Sequence, residues 1–95
     1  VLQRFGEQVS RFSFPMPGYT LAHDFRIRKQ TLALMDALDE IVIAHGGRFY
    51  LAKDSRMSAD TLRRSDTRVG AFVSMRQAGG LTPVFKSMQA QRLEL

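Results

Sequence analysis

The sequence contains no cysteine and no tryptophan, only three prolines, and fewer acidic than basic residues. Without cysteine it can form neither a disulfide framework nor a thiolate metal site, and its two histidines do not have the spacing of a ligand pair. No apolar run reaches the roughly 18 residues of a membrane-spanning helix, because carboxylates interrupt the densest one. We therefore expect no metal site, and the 95 residues suffice for one domain at most.

Fourteen lysine and arginine residues against nine acidic ones give a formal net charge of +5. Such a surplus is one requirement for binding nucleic acid, because basic side chains displace counterions from phosphates. The charges are spread along the chain, however, and concentrate only at 26–29 and 63–68. We therefore expect no nucleic-acid partner. A small basic nucleic-acid-binding module, with Tyr19, Phe25 or Tyr50 stacking on bases, stays open as an alternative function.

Three segments carry clear secondary-structure patterns. Alternation of large with small or polar side chains predicts a β-strand at about 19–27, after a Pro-Met-Pro-Gly turn. Apolar residues at steps of three and four predict a helix at about 31–45, capped by Thr31 and ended by a Gly-Gly pair. A short apolar segment predicts a second strand at about 48–52. Strand, helix and strand together form a βαβ-like unit.

Short helices are expected after this unit. Ser58 is the expected N-cap of the first, and a second ends at another Gly-Gly pair. Thr82, followed by proline, is expected to begin a last helix that buries Val84, Phe85 and Met88. The predicted class is α+β, with antiparallel-type strands and a βαβ-like unit followed by short C-terminal helices.

Most catalytic motifs are missing from the sequence. There is neither a glycine-rich phosphate loop nor a nucleophile elbow. The carboxylates Asp36, Asp39 and Glu40 fall on the exposed face of the predicted helix. His23 is expected to be a packed histidine of the sheet, and His45 to interact with the carbonyl end of the helix.

Lys53 stands out because of its position. It directly follows the predicted strand 48–52, where α/β sheets present ligand-binding groups. The alternative interpretation is a solvated lysine at a strand end. Asp54 and Arg56 are expected to fix the following loop rather than to touch a substrate.

Six segments share residues and spacing with a known enzyme family. They are Ser13-Phe14-Pro15-Met16-Pro17-Gly18, Asp24-Phe25, Gly46-Gly47-Arg48, Tyr50, Ala52-Lys53-Asp54-Ser55-Arg56 and Arg92-Leu93-Glu94-Leu95. Together they resemble the C-terminal end of FAD-linked oxidases of the vanillyl-alcohol-oxidase type. The likeness covers nearly the whole chain. It is closest to a ribose-oxidase-like branch, and the aldonolactone (arabinonolactone-type) and alditol oxidases are more distant.

The resemblance implies an FAD-dependent oxidoreductase acting on CH–OH groups, which oxidises a hydroxyl of a sugar, sugar-lipid or polyol by hydride transfer to flavin. Lys53 would be the catalytic residue, in contact with both flavin and substrate, and Tyr50 would line the substrate pocket. Residues 1–47 would complete the substrate-binding domain, and 48–95 would return to the flavin-binding domain. FAD would be bound, covalently or non-covalently, mainly by an upstream part of the enzyme.

The resemblance also implies that this chain is a fragment of a longer one and is inactive by itself. Its partners would be the sugar or polyol substrate, the remainder of the same flavoenzyme chain, and an epimerase or reductase. Self-association of the fragment through apolar faces stays open. The full-length protein is expected in the cytoplasm, with a membrane-associated or periplasmic location as alternatives. Ala22 replaces a cysteine that some relatives carry, which leaves the shape of the substrate pocket undetermined.

Overall fold

The computed structural model describes all 95 residues. Strands β1 and β2 are Leu2–Phe5 and Gly18–Leu21, and helices α1 to α4 are Lys29–Ala44, Ala59–Ser65, Val69–Ala78 and Met88–Arg92. One 3₁₀ turn, Leu51–Lys53, lies between α1 and α2. The predicted α+β class with antiparallel strands and short C-terminal helices is confirmed. No helix combines the length and apolar character needed to cross a membrane.

The two strands form an antiparallel hairpin in which Leu2 lies opposite Leu21. The predicted strand 19–27 is therefore too long at its C-terminal end. The last pairing joins the backbones of Val1 and Ala22 through two 2.9 Å hydrogen bonds, and no strand lies alongside the residues that follow. Without a partner to accept their hydrogen bonds, alternating side chains do not suffice to form a strand. His23 consequently lies exposed outside the sheet, and its expected packed position is wrong.

Helix α1 forms where the apolar periodicity predicts it, beginning two residues earlier. Thr31 is not its N-cap: the hydroxyl donates instead to the carbonyl of Arg26, at 2.9 Å. The predicted end is confirmed. Nδ1 of His45 lies 2.8 Å from the carbonyl oxygen of Ile41, and the first glycine of the following pair has a φ of +67°, the left-handed conformation that closes helices.

The second strand of the βαβ-like unit does not form. Residues 48–50 pair with no strand, and Leu51–Lys53 adopts the 3₁₀ turn. A strand there would need a neighbour, but β2 ends at Leu21 and no other strand is present. In a sheet, the carbonyl of Leu51 would accept a hydrogen bond from a neighbouring strand. Here it accepts hydrogen bonds from the backbone N–H of Asp54 and from the side chain of Gln89.

The hydrophobic core is small and lies between the 3₁₀ turn and the last three helices. Four side chains are at most 2% exposed: Met57, Leu62, Val69 and Leu93. Five half-buried side chains pack around them: Phe12, Phe49, Leu51, Val73 and Leu95. The chain exposes 7299 Å², whereas a compact protein of its 10.8 kDa exposes about 5500 Å². Much apolar surface is thus left uncovered by the chain itself.

The short helices are only partly as predicted. Ser58 caps α2, since its hydroxyl accepts the N–H of Thr61 at 3.0 Å, and the glycine pair ends α3. The last helix begins at Met88, with Ser87 as N-cap, and not at Thr82. The carbonyl of Leu81 accepts the N–H groups of the third and fourth residues after it, which closes a turn there. Val84, Phe85 and Met88 are therefore 69%, 66% and 82% exposed, and their predicted burial is wrong.

Candidate functional site

Lys53 ends the 3₁₀ turn, and its side chain is exposed. Its ammonium group makes no hydrogen bond or ion pair within the chain, while its backbone N–H donates to the carbonyl of Tyr50 at 3.2 Å. We call residues 50–54 the Lys53 turn. Tyr50 precedes its 3₁₀ residues in an extended conformation. The turn presents an unpartnered ammonium group.

Tyr50 is brought against one of the segments that carry the family resemblance. Its ring centroid lies 5.4 Å from that of Phe14, and the ring is 53% exposed. The two rings line a mainly apolar cavity of about 240 Å³, which also includes Phe49, Leu51 and Leu62. Ligand sites usually enclose roughly 300–1,000 Å³. This cavity therefore has the size of one part of a site.

Asp54 holds the end of the Lys53 turn, as predicted. One carboxylate oxygen accepts the backbone N–H groups of Arg56 and Met57, at 3.2 and 2.9 Å. The other accepts a charge-assisted hydrogen bond from Arg92 at 2.7 Å. Arg92 also donates to the carbonyl of Met57. One carboxylate thus joins the turn to the loop after it and to α4.

Arg56 ties the same loop to α1, which confirms its predicted role. Its guanidinium donates to Asp36 at 2.9 Å, to Asp39 at 2.7 Å and to the carbonyl of Met35 at 3.1 Å. The side chain of Asp39 is only 9% exposed, so its expected position on the wet face of α1 is wrong. The helical pattern could not show this, because the partner lies 17 residues away.

Gln89 makes hydrogen bonds to the Lys53 turn that the sequence did not predict. Its side-chain amide donates to the carbonyls of Leu51 and Asp54, at 2.5 and 3.3 Å. Gln89 and Arg92 are three residues apart and therefore lie on one face of α4. The spacing of three residues is a weak signal, but it could have indicated that both side chains contact the same segment. The Lys53 turn and its loop are held by α1 on one side and α4 on the other.

Two carboxylates near the site have lowered pKa values. Burial raises the pKa of Asp54, but the hydrogen bonds from Met57, Arg92 and Arg56 outweigh it and bring it below its usual value. Burial likewise raises the pKa of Asp66, and hydrogen bonds from the side chain and backbone of Arg68 lower it further than burial raises it. Both groups are charged at neutral pH and depend on their donors.

Acidification is therefore expected to destabilise the fold. A folded-state pKa below the ordinary 3.8 of aspartate contributes stability that is fully present above that value and is lost as the pH falls through the folded-state pKa. The free energy of unfolding in urea, measured between neutral and strongly acidic pH, tests this. The variant Asp54→Asn should show a flatter dependence than the parent. If Asp54→Asn lost as much stability in acid as the parent, the lowered pKa of Asp54 would not be a cause of the acid sensitivity.

The basic concentration at 63–68 is compensated within the chain. Its arginines pair with carboxylates as follows: Arg63 with Glu94 at 3.0 Å, Arg64 with Glu40 at 2.7 Å, and Arg68 with Asp66 at 2.6 Å. Arginines held in this way present little free positive charge to a phosphate backbone. The structure also contains no group of three histidine or carboxylate side chains that could hold a metal ion.

Known proteins match the chain over most of its length. It is 37% identical over 83 residues to decaprenylphosphoryl-β-D-ribose oxidase of Mycolicibacterium smegmatis, which covers 87% of this chain and 18% of that oxidase. It is 39% identical over 97 residues to an uncharacterized protein in the mprA 5′ region of Streptomyces coelicolor, which covers 100% of this chain and 26% of that protein. No family model matches. The chain spans about a fifth to a quarter of the length of these relatives, and its resemblance to a C-terminal part of an FAD-linked oxidase is confirmed.

Proposed function

We propose that the chain is the C-terminal part of an FAD-dependent oxidoreductase that oxidises a CH–OH group of a sugar, sugar-lipid or polyol. Its similarity to an oxidase whose name specifies a ribose-containing lipid phosphate supports both the reaction class and the substrate class. The observation that carries the proposal is the position of Lys53. Its ammonium group has no partner inside the chain, although hydrogen bonds fix its turn from two sides.

The distribution of buried residues supports a division near residue 47. All four fully buried apolar side chains belong to 48–95, whereas 1–47 contributes none. The hairpin and α1 instead expose large apolar side chains, among them Tyr19, Leu21 and Leu32. An isolated two-stranded hairpin is marginally stable in water. In our proposal, 1–47 completes a substrate-binding domain and 48–95 returns to the flavin-binding domain. The exposed apolar surface then contacts the remainder of the same enzyme.

In our proposal, Lys53 contacts the edge of a flavin, and Lys53 and Tyr50 contact the substrate beside it. A bound FAD would supply a hydride acceptor at N5, with negative charge developing at its N1–C2=O end. The ammonium group of Lys53 is free to stabilise that charge, and such stabilisation is strongest where water is excluded. The same group can also donate a hydrogen bond to the substrate hydroxyl, because an ammonium group carries three donors on a flexible stem. The phenol of Tyr50 hydrogen-bonds substrate and shapes the pocket.

In the full-length enzyme, we expect the sugar or polyol substrate to reduce the bound FAD in the absence of oxygen, which bleaches the visible absorbance of the flavin. We expect the isolated 95-residue chain neither to retain FAD nor to oxidise the substrate. The reason is that the chain supplies a cavity of about 240 Å³ and lacks a glycine-rich phosphate loop. Visible absorbance after incubation with FAD and gel filtration measures retention. A flavin-coloured isolated chain, or a full-length protein that no CH–OH compound bleaches, would contradict the proposal.

A further inference from the structure

Helix α4 lies against the Lys53 turn without touching the ammonium group that the turn presents. Gln89 donates to the carbonyls of Leu51 and Asp54, and Arg92 donates to the carboxylate of Asp54. These bonds reach the turn at its first helical residue and at the residue that closes it. Lys53 lies between the two anchored positions, so its backbone is held on both sides.

The helix itself is fixed. Leu93, which directly follows α4, is fully buried in the core with Met57 and Val69. Ser87 caps the other end by accepting the N–H of Ala90 at 3.0 Å. A short helix that is capped at its N-terminus and anchored to the core at its C-terminus can serve as a support. Gln89 and Arg92 project from its one face that meets the turn.

We infer that Gln89 and Arg92 are positioning residues for the ammonium group of Lys53, acting through the backbone of the Lys53 turn. The inference rests on the proposed function of Lys53. A lysine side chain is flexible and reaches a defined point only if its backbone is held. Misplacing a reacting group by about 1 Å can cost about a hundredfold in rate.

The test uses the full-length flavoenzyme and the variant Gln89→Leu, which keeps the approximate size of the side chain and removes both donors. We expect the limiting rate of flavin reduction to fall about tenfold while KM changes by less than about twofold, since only transition-state stabilisation is lost. Gln91→Leu is the matched control. It changes the same residue type on the same helix at an exposed position without side-chain hydrogen bonds, and should leave the rate unchanged.

A double-mutant cycle separates positioning from a general structural role. If Gln89 acts only through Lys53, adding Gln89→Leu to Lys53→Met lowers the rate no further, whereas independent effects multiply. A normal rate in Gln89→Leu, or multiplying losses, overturns the positioning role and leaves the proposed function standing. A normal rate in Lys53→Met overturns the proposed function itself. If Gln89→Leu does not bind flavin, Gln89→Asn replaces it, because the asparagine side chain is too short to reach either carbonyl. Gln89→Asn must then show the same tenfold fall in the rate of flavin reduction. A normal rate in Gln89→Asn overturns the inference.

Discussion

Replacing Lys53 by methionine in the full-length enzyme is expected to slow substrate-dependent flavin reduction by about a hundredfold. Removing one well-placed electrostatic donor typically costs about 2.7–4 kcal/mol of transition-state stabilisation. Methionine keeps an unbranched apolar stem and removes only the charge and the donors. Because the ammonium group has no partner within the chain, its loss breaks no internal contact and should leave stability nearly unchanged. Anaerobic stopped-flow measurement of flavin bleaching gives the rate.

The control for this prediction is Lys86→Met. Lys86 is also exposed and forms no ion pair, but it lies in the segment between α3 and α4 and belongs to none of the resemblance motifs. Its replacement should not change the reduction rate. Lys53→Arg keeps the charge with different geometry and is expected to fall between the parent and Lys53→Met. Unchanged kinetics of flavin reduction in Lys53→Met would contradict the proposed catalytic role of Lys53.

Replacing Arg56 by methionine should lower the free energy of unfolding by about 3 kcal/mol. Asp39 would keep a carboxylate that is 9% exposed but would lose its cationic partner, and breaking a buried pair on one side typically costs about 3–5 kcal/mol. We expect the lower end of that range because Arg56 itself is 23% exposed. Urea unfolding of the parent and the variant at neutral pH measures the difference.

Two further variants test the cause of that loss. Arg63→Met breaks an ion pair whose partners are 44% and 68% exposed, and surface pairs of this kind contribute about 0–1 kcal/mol. Combining Arg56→Met with Asp39→Leu removes both buried charges and should recover much of the stability. If Arg56→Met costs no more than Arg63→Met, the pair with Asp39 does not fix the loop.

Local signals in the sequence predicted local structure well. Apolar periodicity placed α1, a serine placed the cap of α2, and glycine pairs placed two helix ends. Elements that depend on a distant partner were predicted poorly. Residues 48–52 and 23–27 have strand-like patterns, but no neighbouring strand accepts their hydrogen bonds. The helical pattern predicts a solvated Asp39, because the pattern does not show that Arg56 lies against it.

The candidate site shows the same limit. Lys53 and Tyr50 were identified from the order of residues in one segment and from a family resemblance. The contact of Tyr50 with Phe14 and the support from Gln89 join residues that are 35 or more apart in the chain. No helical or strand periodicity encodes such contacts, because they depend on how α4 and the N-terminal loop pack around the small core.

The most direct measurement is a structure of the full-length enzyme with FAD bound, in which the distance from Nζ of Lys53 to the N1–C2=O edge of the flavin is read. The proposed role requires hydrogen-bond distance, about 3 Å, with the Lys53 turn still held by Gln89 and Arg92. An ammonium group pointing into bulk solvent, out of reach of both flavin and substrate, would contradict the proposed function.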